Sequence, residues 1–336
     1  MREYRVAVVG ATGAVGVEMI HVLERRAFPV RELRAFASRR SAGRQVRFHD
    51  EAVTVCAIEP GCFRDVDFAL FSAGADRSRQ YAPQAVREGA TVIDNSSAFR
   101  TELAVPLVVP EVNVADLESH QGLVANPNCS TIQLVIALRP VMQAFGLRRV
   151  VVSTYQSVSG AGARAMRELQ EATRAHLDGH PEPREVYPRS IAFNVVPHID
   201  VFDEQGNTRE ETKMRNETRR ILGAPQLRVL ATCVRVPVFR SHSEAVLAET
   251  RDPVDLATLR GRMREQPGLV LHEEHEDYPL ARDAAERDEV FVGRVRTDSE
   301  EPCSVSMWVV SDNLLKGAAL NAVQIAEHLC GAPLRP

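Results

Sequence analysis

Short apolar runs alternate along the chain with stretches in which apolar residues recur at helical spacing, and most of the runs end in glycine or small polar residues. Residues 5–9 form a β-branched run that stops at Gly10, and residues 17–24 follow with helical periodicity. The pattern repeats: residues 32–37, 67–71 and 91–94 read as strands, a helix is predicted over 78–88, and the runs 107–113 and 123–125 carry the series up to Cys129. This alternation predicts a parallel sheet whose strand ends gather at one edge. A helix over 131–139 follows. Residues 150–155 then begin a fresh strand, 156–162 form a Gly/Ser loop and 163–177 a helix, and Pro181, Pro183 and Pro188 break the next segment, which reads as a lid, an interface arm or both. Thr208-Arg209-Glu210-Glu211 spells a capping box, in which Thr208 caps a helix and Glu211 reaches back. A strand is predicted over 234–239, at an edge or bulge because of Pro237. An exposed acidic segment (273–288), strands near 291–293 and 305–310, and a last helix over 314–329 complete the series.

Composition narrows the functional classes. At 336 residues the chain has room for about two domains. Lys plus Arg number 41 against 45 Asp plus Glu, a net charge of −4, so no global basic field points to nucleic acid. The six cysteines include no C-x-x-C pair, which argues against zinc or a redox dithiol and fits a reducing compartment. The first apolar run is too short for a signal peptide and no stretch approaches a membrane span, so a soluble cytoplasmic protein is expected, with no metal.

The chemistry-bearing residues sit where these runs end. Gly10-Ala11-Thr12-Gly13-Ala14-Val15-Gly16 lies between a strand and a helix, the context of a dinucleotide-binding turn, although its G-x-x-G-x-x-G spacing matches the usual fingerprint loosely. About 22 residues on, where an NAD site carries an acid for the ribose, the chain has Ser38-Arg39-Arg40-Ser41, which suits a 2′-phosphate and so NADP. An isolated Arg-Arg is otherwise a solvated turn. Asn126-Pro127-Asn128-Cys129-Ser130-Thr131 places the Cys129 sulfur at or next to a first helical turn, where N–H groups and the helix dipole favour a thiolate. Arg100 follows a strand end; Glu210 and Lys213 share a helix face as a binding pair or a surface ion pair. Arg235 interrupts an apolar stretch and is expected to have a carboxylate partner, and His242 stands just beyond as a base or a loop histidine.

Taken together and in order, these motifs, with Asn95-Ser96-Ser97-Ala98-Phe99-Arg100, residues 156–162, residues 235–242 and residues 311–316, resemble the aspartate-semialdehyde dehydrogenase family of the shorter bacterial type over nearly the whole chain. The resemblance implies an α/β fold: a Rossmann-like NADP-binding domain with a parallel sheet (1–128), an α+β catalytic and dimerisation domain (129–312), and a C-terminal helix (313–336) returning to the first domain. It implies reversible NADPH-dependent reduction of 4-aspartyl phosphate to aspartate 4-semialdehyde and phosphate through a Cys129 thioester, with His242 as acid/base and Gln156 orienting the acyl group. Arg235 would hold the substrate α-carboxylate, Glu210 its ammonium, and Arg100 with Lys213 the phosphate. Gly10, Thr12, Gly13, Ala14, Val15, Ser38, Arg40, Ser41, Ser159, Gly160 and Asn313 would bind NADP, and a homodimer is expected. The alternatives are N-acetyl-γ-glutamyl-phosphate reductase and a non-catalytic NADP-binding redox sensor.

Overall fold

A computed structural model describes residues 2–332, which divide into two compact units. The first takes the chain up to Asn128 and resumes at Ala318; the second runs from Cys129 to Gly317. In the first unit the strands β1 (Tyr4–Val9), β2 (Val30–Ala37), β3 (Gln45–Phe48), β4 (Glu51–Ala57), β5 (Phe68–Phe71), β6 (Thr91–Asp94) and β7 (Leu123–Ala125) form one sheet in the order β3-β4-β2-β1-β5-β6-β7. Every pairing is parallel except β3 with β4. β5 is buried at every position, as a strand covered on both faces must be. Helices α1 (Ala14–Arg25), α2 (Ala75–Arg87) and α3 (Pro110–Asn113) belong to the connections. The order, with β1 next to both β2 and β5, makes this a doubly wound Rossmann-like sheet whose reversal of strand order lies at the end of β1.

The second unit starts with α4 (Cys129–Phe145), followed by β8 (Leu147–Gln156), α5 (Ala163–Leu177), α6 (Arg209–Ile221), β9 (Arg228–Arg235), β10 (His242–Thr250), α7 (Leu256–Glu265), β11 (Leu269–Leu271), α8 (Ala281–Ala284), β12 (Val290–Thr297) and β13 (Ser304–Ser311). Its sheet, ordered β11-β12-β13-β10-β8-β9, mixes parallel and antiparallel pairs. α4 is buried on nearly all sides and packs across β8, β10, β12 and β13. Along β10 the residues facing α4 (His242, Glu244, Val246, Ala248) are buried, while Leu247 on the opposite face is exposed.

Three expectations need correction. The run 107–113, expected to extend the sheet, gives only a single bridge from Leu107 to Ala125 before Pro110 opens the short helix α3. The strand predicted over 234–239 begins at Arg228 and ends at Arg235. Pro237 offers no N–H to a neighbour, and the Val238 N–H bonds back to the Val236 carbonyl in a tight turn. The last helix is not one α-helix over 314–329: a π-helical turn (Leu315–Ala319), in which the Gly317 N–H reaches the Asp312 carbonyl, precedes α9 (Leu320–Leu329). α9 is tied into the first unit by the buried Arg26–Glu327 ion pair at 2.9 Å.

Candidate active site

The first unit carries a cavity of about 710 Å³ at the end of β1, lined by Gly10, Thr12, Gly13, Ser38, Arg40 and Ser41, with Arg77, Gln80 and Tyr81 added from α2. The glycine turn is tight: Gly10 has φ +91°, and a Cβ there would stand 2.4 Å from the Ser72 carbonyl oxygen. Gly13 caps α1 with no side-chain hydrogen bond, leaving first-turn N–H groups for an anion. Ala14 and Val15 open α1 and do not line the cavity. Arg39, Arg40 and Ser41 form a single 3₁₀ turn after β2, which holds two guanidinium groups and a hydroxyl at the rim. A nucleotide with an extra phosphate fits this donor set.

Arg100, also in the first unit, is buried and donates from Nη2 to the Asn95 carbonyl at 2.9 Å. Asp94 stands beside it, accepting from Ser78 Oγ at 2.6 Å and Ser96 Oγ at 2.7 Å; burial raises its carboxyl above the ordinary aspartate range. Asn126, from the cysteine motif, donates to Asn95 Oδ1 and accepts from Asn321 Nδ2 at 2.7 Å.

In the second unit Cys129 is the first residue of α4, at the positive end of a 17-residue helix. None of the six cysteines is in a disulfide. Gly317 presses on the nucleophile, since a Cβ there would lie 2.9 Å from the Cys129 Cβ. Only a residue without a side chain permits this approach.

The cross-strand register gathers the remaining groups. Arg235 on β9 pairs with Gln156 on β8, whose neighbour Tyr155 pairs with Ser243, so His242 falls next in the same row and is itself paired with Ser311 on β13. Gly160 sits above this row: a Cβ there would be 3.0 Å from Arg235 Nη1 and 3.4 Å from His242 Nε2. His242 is completely buried. Its Nδ1 accepts from the Ser157 N–H at 3.1 Å, so the neutral ring keeps its proton on Nε2, and Nε2 has no partner among the described residues. Burial and the Arg235 guanidinium hold the imidazole down to about 3. Asn313 Oδ1 braces this loop, accepting from Ser157 Oγ and Ser159 Oγ at 3.1 Å and from the Ser241 N–H at 2.9 Å.

Arg235 departs from expectation. Among the described residues it has no carboxylate partner: Nη1 donates to the Ser157 carbonyl at 2.7 Å and Nε has no partner, in a residue only 6 % exposed. A buried cation without a counter-ion suits an anionic ligand. Gln156 Nε2 donates to Glu210 Oε1 at 3.4 Å. Glu210 and Lys213 are 3.3 Å apart, and Asp200 joins Lys213 at 2.8 Å. The capping box forms, and Glu211 Oε1 additionally accepts the Cys233 N–H. Sequence reasoning misses Asp200 and the α2 residues at the cavity, and gives Asn126 and Ser157 no role of their own within the motifs that contain them. Ser157 adjoins Gln156 and Asn126 opens the cysteine motif, whereas nothing in the sequence links Asp200 to Lys213.

The first unit carries a dinucleotide-type turn, and the second carries a cysteine at a helix start and a buried neutral histidine, the parts expected of an NAD(P)-dependent aldehyde oxidoreductase. Family models agree: residues 5–120 match the semialdehyde dehydrogenase NAD binding domain, and residues 138–316 match the semialdehyde dehydrogenase dimerisation domain. The chain belongs to the semialdehyde dehydrogenase family. It is 50% identical to an aspartate-semialdehyde dehydrogenase of Aquifex aeolicus over 97% of this chain and 98% of that one, and 49% identical to one of Bacillus subtilis over 98% of each. Its fold is similar to the crystal structure of aspartate semialdehyde dehydrogenase II from Vibrio cholerae complexed with ASA (TM-score 0.97, 45% identity, covering 99% of this chain and 100% of that one).

Proposed function

We propose that this chain is an NADP-dependent aspartate-semialdehyde dehydrogenase, interconverting aspartate 4-semialdehyde plus phosphate with 4-aspartyl phosphate. The observation that carries the reading beyond the family is the row Arg235–Gln156–His242, in which a buried guanidinium without a carboxylate partner stands beside a neutral histidine. The substrate has a carboxylate for Arg235 and an ammonium for Glu210, and Lys213 and Arg100 supply positive charge for phosphate.

In the oxidative direction the Cys129 sulfur attacks the aldehyde carbon, forming the S–C bond. His242 acts as the acid/base at Nε2, bonded to the oxygen that gains charge in the tetrahedral adduct. Thr12, Gly13, Arg40 and Ser41, with Gly10 and Ser38, would hold NADP, Ser159, Gly160 and Asn313 are the contacts proposed from the second unit, and the nucleotide would supply a hydride acceptor. The adduct is left as a Cys129 thioester. Phosphate oxygen then attacks the acyl carbon, the C–S bond breaks, and Cys129 departs as thiolate. A thioester exchanges hydride at the acyl carbon far more readily than a carboxylate does, which is the reason for the covalent step.

The outer face of the second unit's sheet carries exposed Tyr155, Leu230 and Leu247 beside Trp308, and these residues fit the homodimer we propose. No helix among the described residues is long and apolar enough to cross a membrane. The six thiols fit a reducing, cytoplasmic setting. The test is NADP reduction with aspartate semialdehyde, which should require phosphate and vanish in Cys129→Ala while NADPH binding survives. Turnover with N-acetylglutamate semialdehyde alone would overturn the substrate assignment.

A further inference from the structure

Directly behind the row that holds Arg235, Gln156 and His242 lies a second buried polar row. Cys233 on β9 pairs with Thr154 on β8, and Thr154 pairs with Glu244 on β10, which in turn faces the apolar Val309 on β13. Glu244 is completely buried, and neither of its oxygens makes a regular hydrogen bond among the described residues. Two further buried atoms nearby lack partners as well: Thr154 Oγ1 and Gln133 Nε2, whose amide is close enough to draw the Glu244 ionisation back down. Gln133 lies four residues along α4 from Cys129, on the same face of the helix, and its Oε1 accepts from Ser311 Oγ at 2.7 Å. Ser311 is the strand partner of His242.

We propose that Glu244 is a positioning residue that locks the helix bearing Cys129 onto the strand bearing His242 by way of Gln133. The role is independent of the substrate's identity but rests on the Cys129–His242 chemistry proposed above. Burial pushes its carboxyl well above the ordinary glutamate range, so the group works as an acid and not as a carboxylate. As an acid it has one O–H to give and one carbonyl to receive, which matches Thr154 Oγ1 and Gln133 Nε2. The titratable and charged groups around it are His242 on its own strand, Cys233, whose thiol burial also pushes up, and Arg235 on β9, Cys129 at the start of α4, and beyond them Glu210 and Glu211 of α6; β13 contributes none. As a carboxylate, Glu244 would add charge to a region already bordered by those two acids.

Three variants test this. Glu244→Leu keeps the volume and removes the polar coupling; it should lower kcat about tenfold or more with KM changed less than about threefold, and should slow and shift the pH dependence of Cys129 alkylation by iodoacetamide. Glu244→Gln, neutral and of the same shape, should restore both readouts to within about threefold of the native enzyme. Glu244→Gln should also gain thermal stability over the native protein as pH rises from 5 to 8, because only the native protein must bring a proton into the fold. Native alkylation and turnover in Glu244→Leu would overturn the proposal, as would loss of activity or stability in Glu244→Gln. Alkylation and unfolding need no substrate, so they stand even if aspartate semialdehyde proves to be the wrong one.

Discussion

Replacing His242 with asparagine removes one titrating ring from the core, and the effect on stability follows from the ring's surroundings. Burial and Arg235 hold the folded imidazole at about 3, against 6.5 for an unperturbed histidine. With the folded value depressed, the unfolded chain binds the extra proton first; stability is intact above about pH 6.5 and is lost as pH falls toward 3. Each pH unit below the unfolded value is worth about 1.4 kcal/mol, so the loss between pH 7 and pH 5 is about 2 kcal/mol. That figure holds for any folded value well below 5, so it does not depend on the depth of the shift. Urea unfolding of the native protein and His242→Asn at both pH values gives the comparison directly. The native protein should lose about 2 kcal/mol more than the variant on going to pH 5. Equal losses would mean that the native ring takes up its proton in this range, and the picture of a neutral histidine wedged against Arg235 would be refuted.

Arg40→Asp should weaken NADP by about tenfold or more while changing NAD little, measured as KM for each; equal losses would remove the 2′-phosphate role. Gly317→Ala brings a methyl to 2.9 Å from the Cys129 Cβ, and kcat should fall about tenfold while nucleotide Kd stays put. An unchanged kcat would show that the cysteine has room to move. Glu327→Leu removes the buried Arg26–Glu327 ion pair, and the urea-derived stability of the first unit should drop by about 3 kcal/mol; a drop below about 1 kcal/mol would mean the pair contributes little to holding α9 in place.

Much of this was legible because it is local. The strands before Gly10 and Cys129, the helix over 163–177 and the capping box at Thr208 are set by neighbours a few residues apart, and the structure has them. The parallel sheet followed from the alternation of those runs. What was not legible depends on register between distant strands. Arg235 suggested a carboxylate partner because a buried guanidinium needs compensation; the turn just after β8 supplies the Ser157 carbonyl instead, and that bond cannot be inferred before β8 and β9 are paired. The break near Gly317 was hidden because residues 314–329 keep an apolar helical pattern, while the π turn answers to Cys129 and Asp312. Glu244 reads as an ordinary polar residue until β10 and α4 close over it.

The covalent step can be observed by withholding phosphate. The protein mixed with aspartate semialdehyde and excess NADP should release one NADPH per chain in a burst and then stall, with the mass of an aspartyl group on the peptide that contains Cys129, and added phosphate should clear the adduct and restart turnover. Steady NADPH production without phosphate, or an acyl group on any residue other than Cys129, would contradict the account.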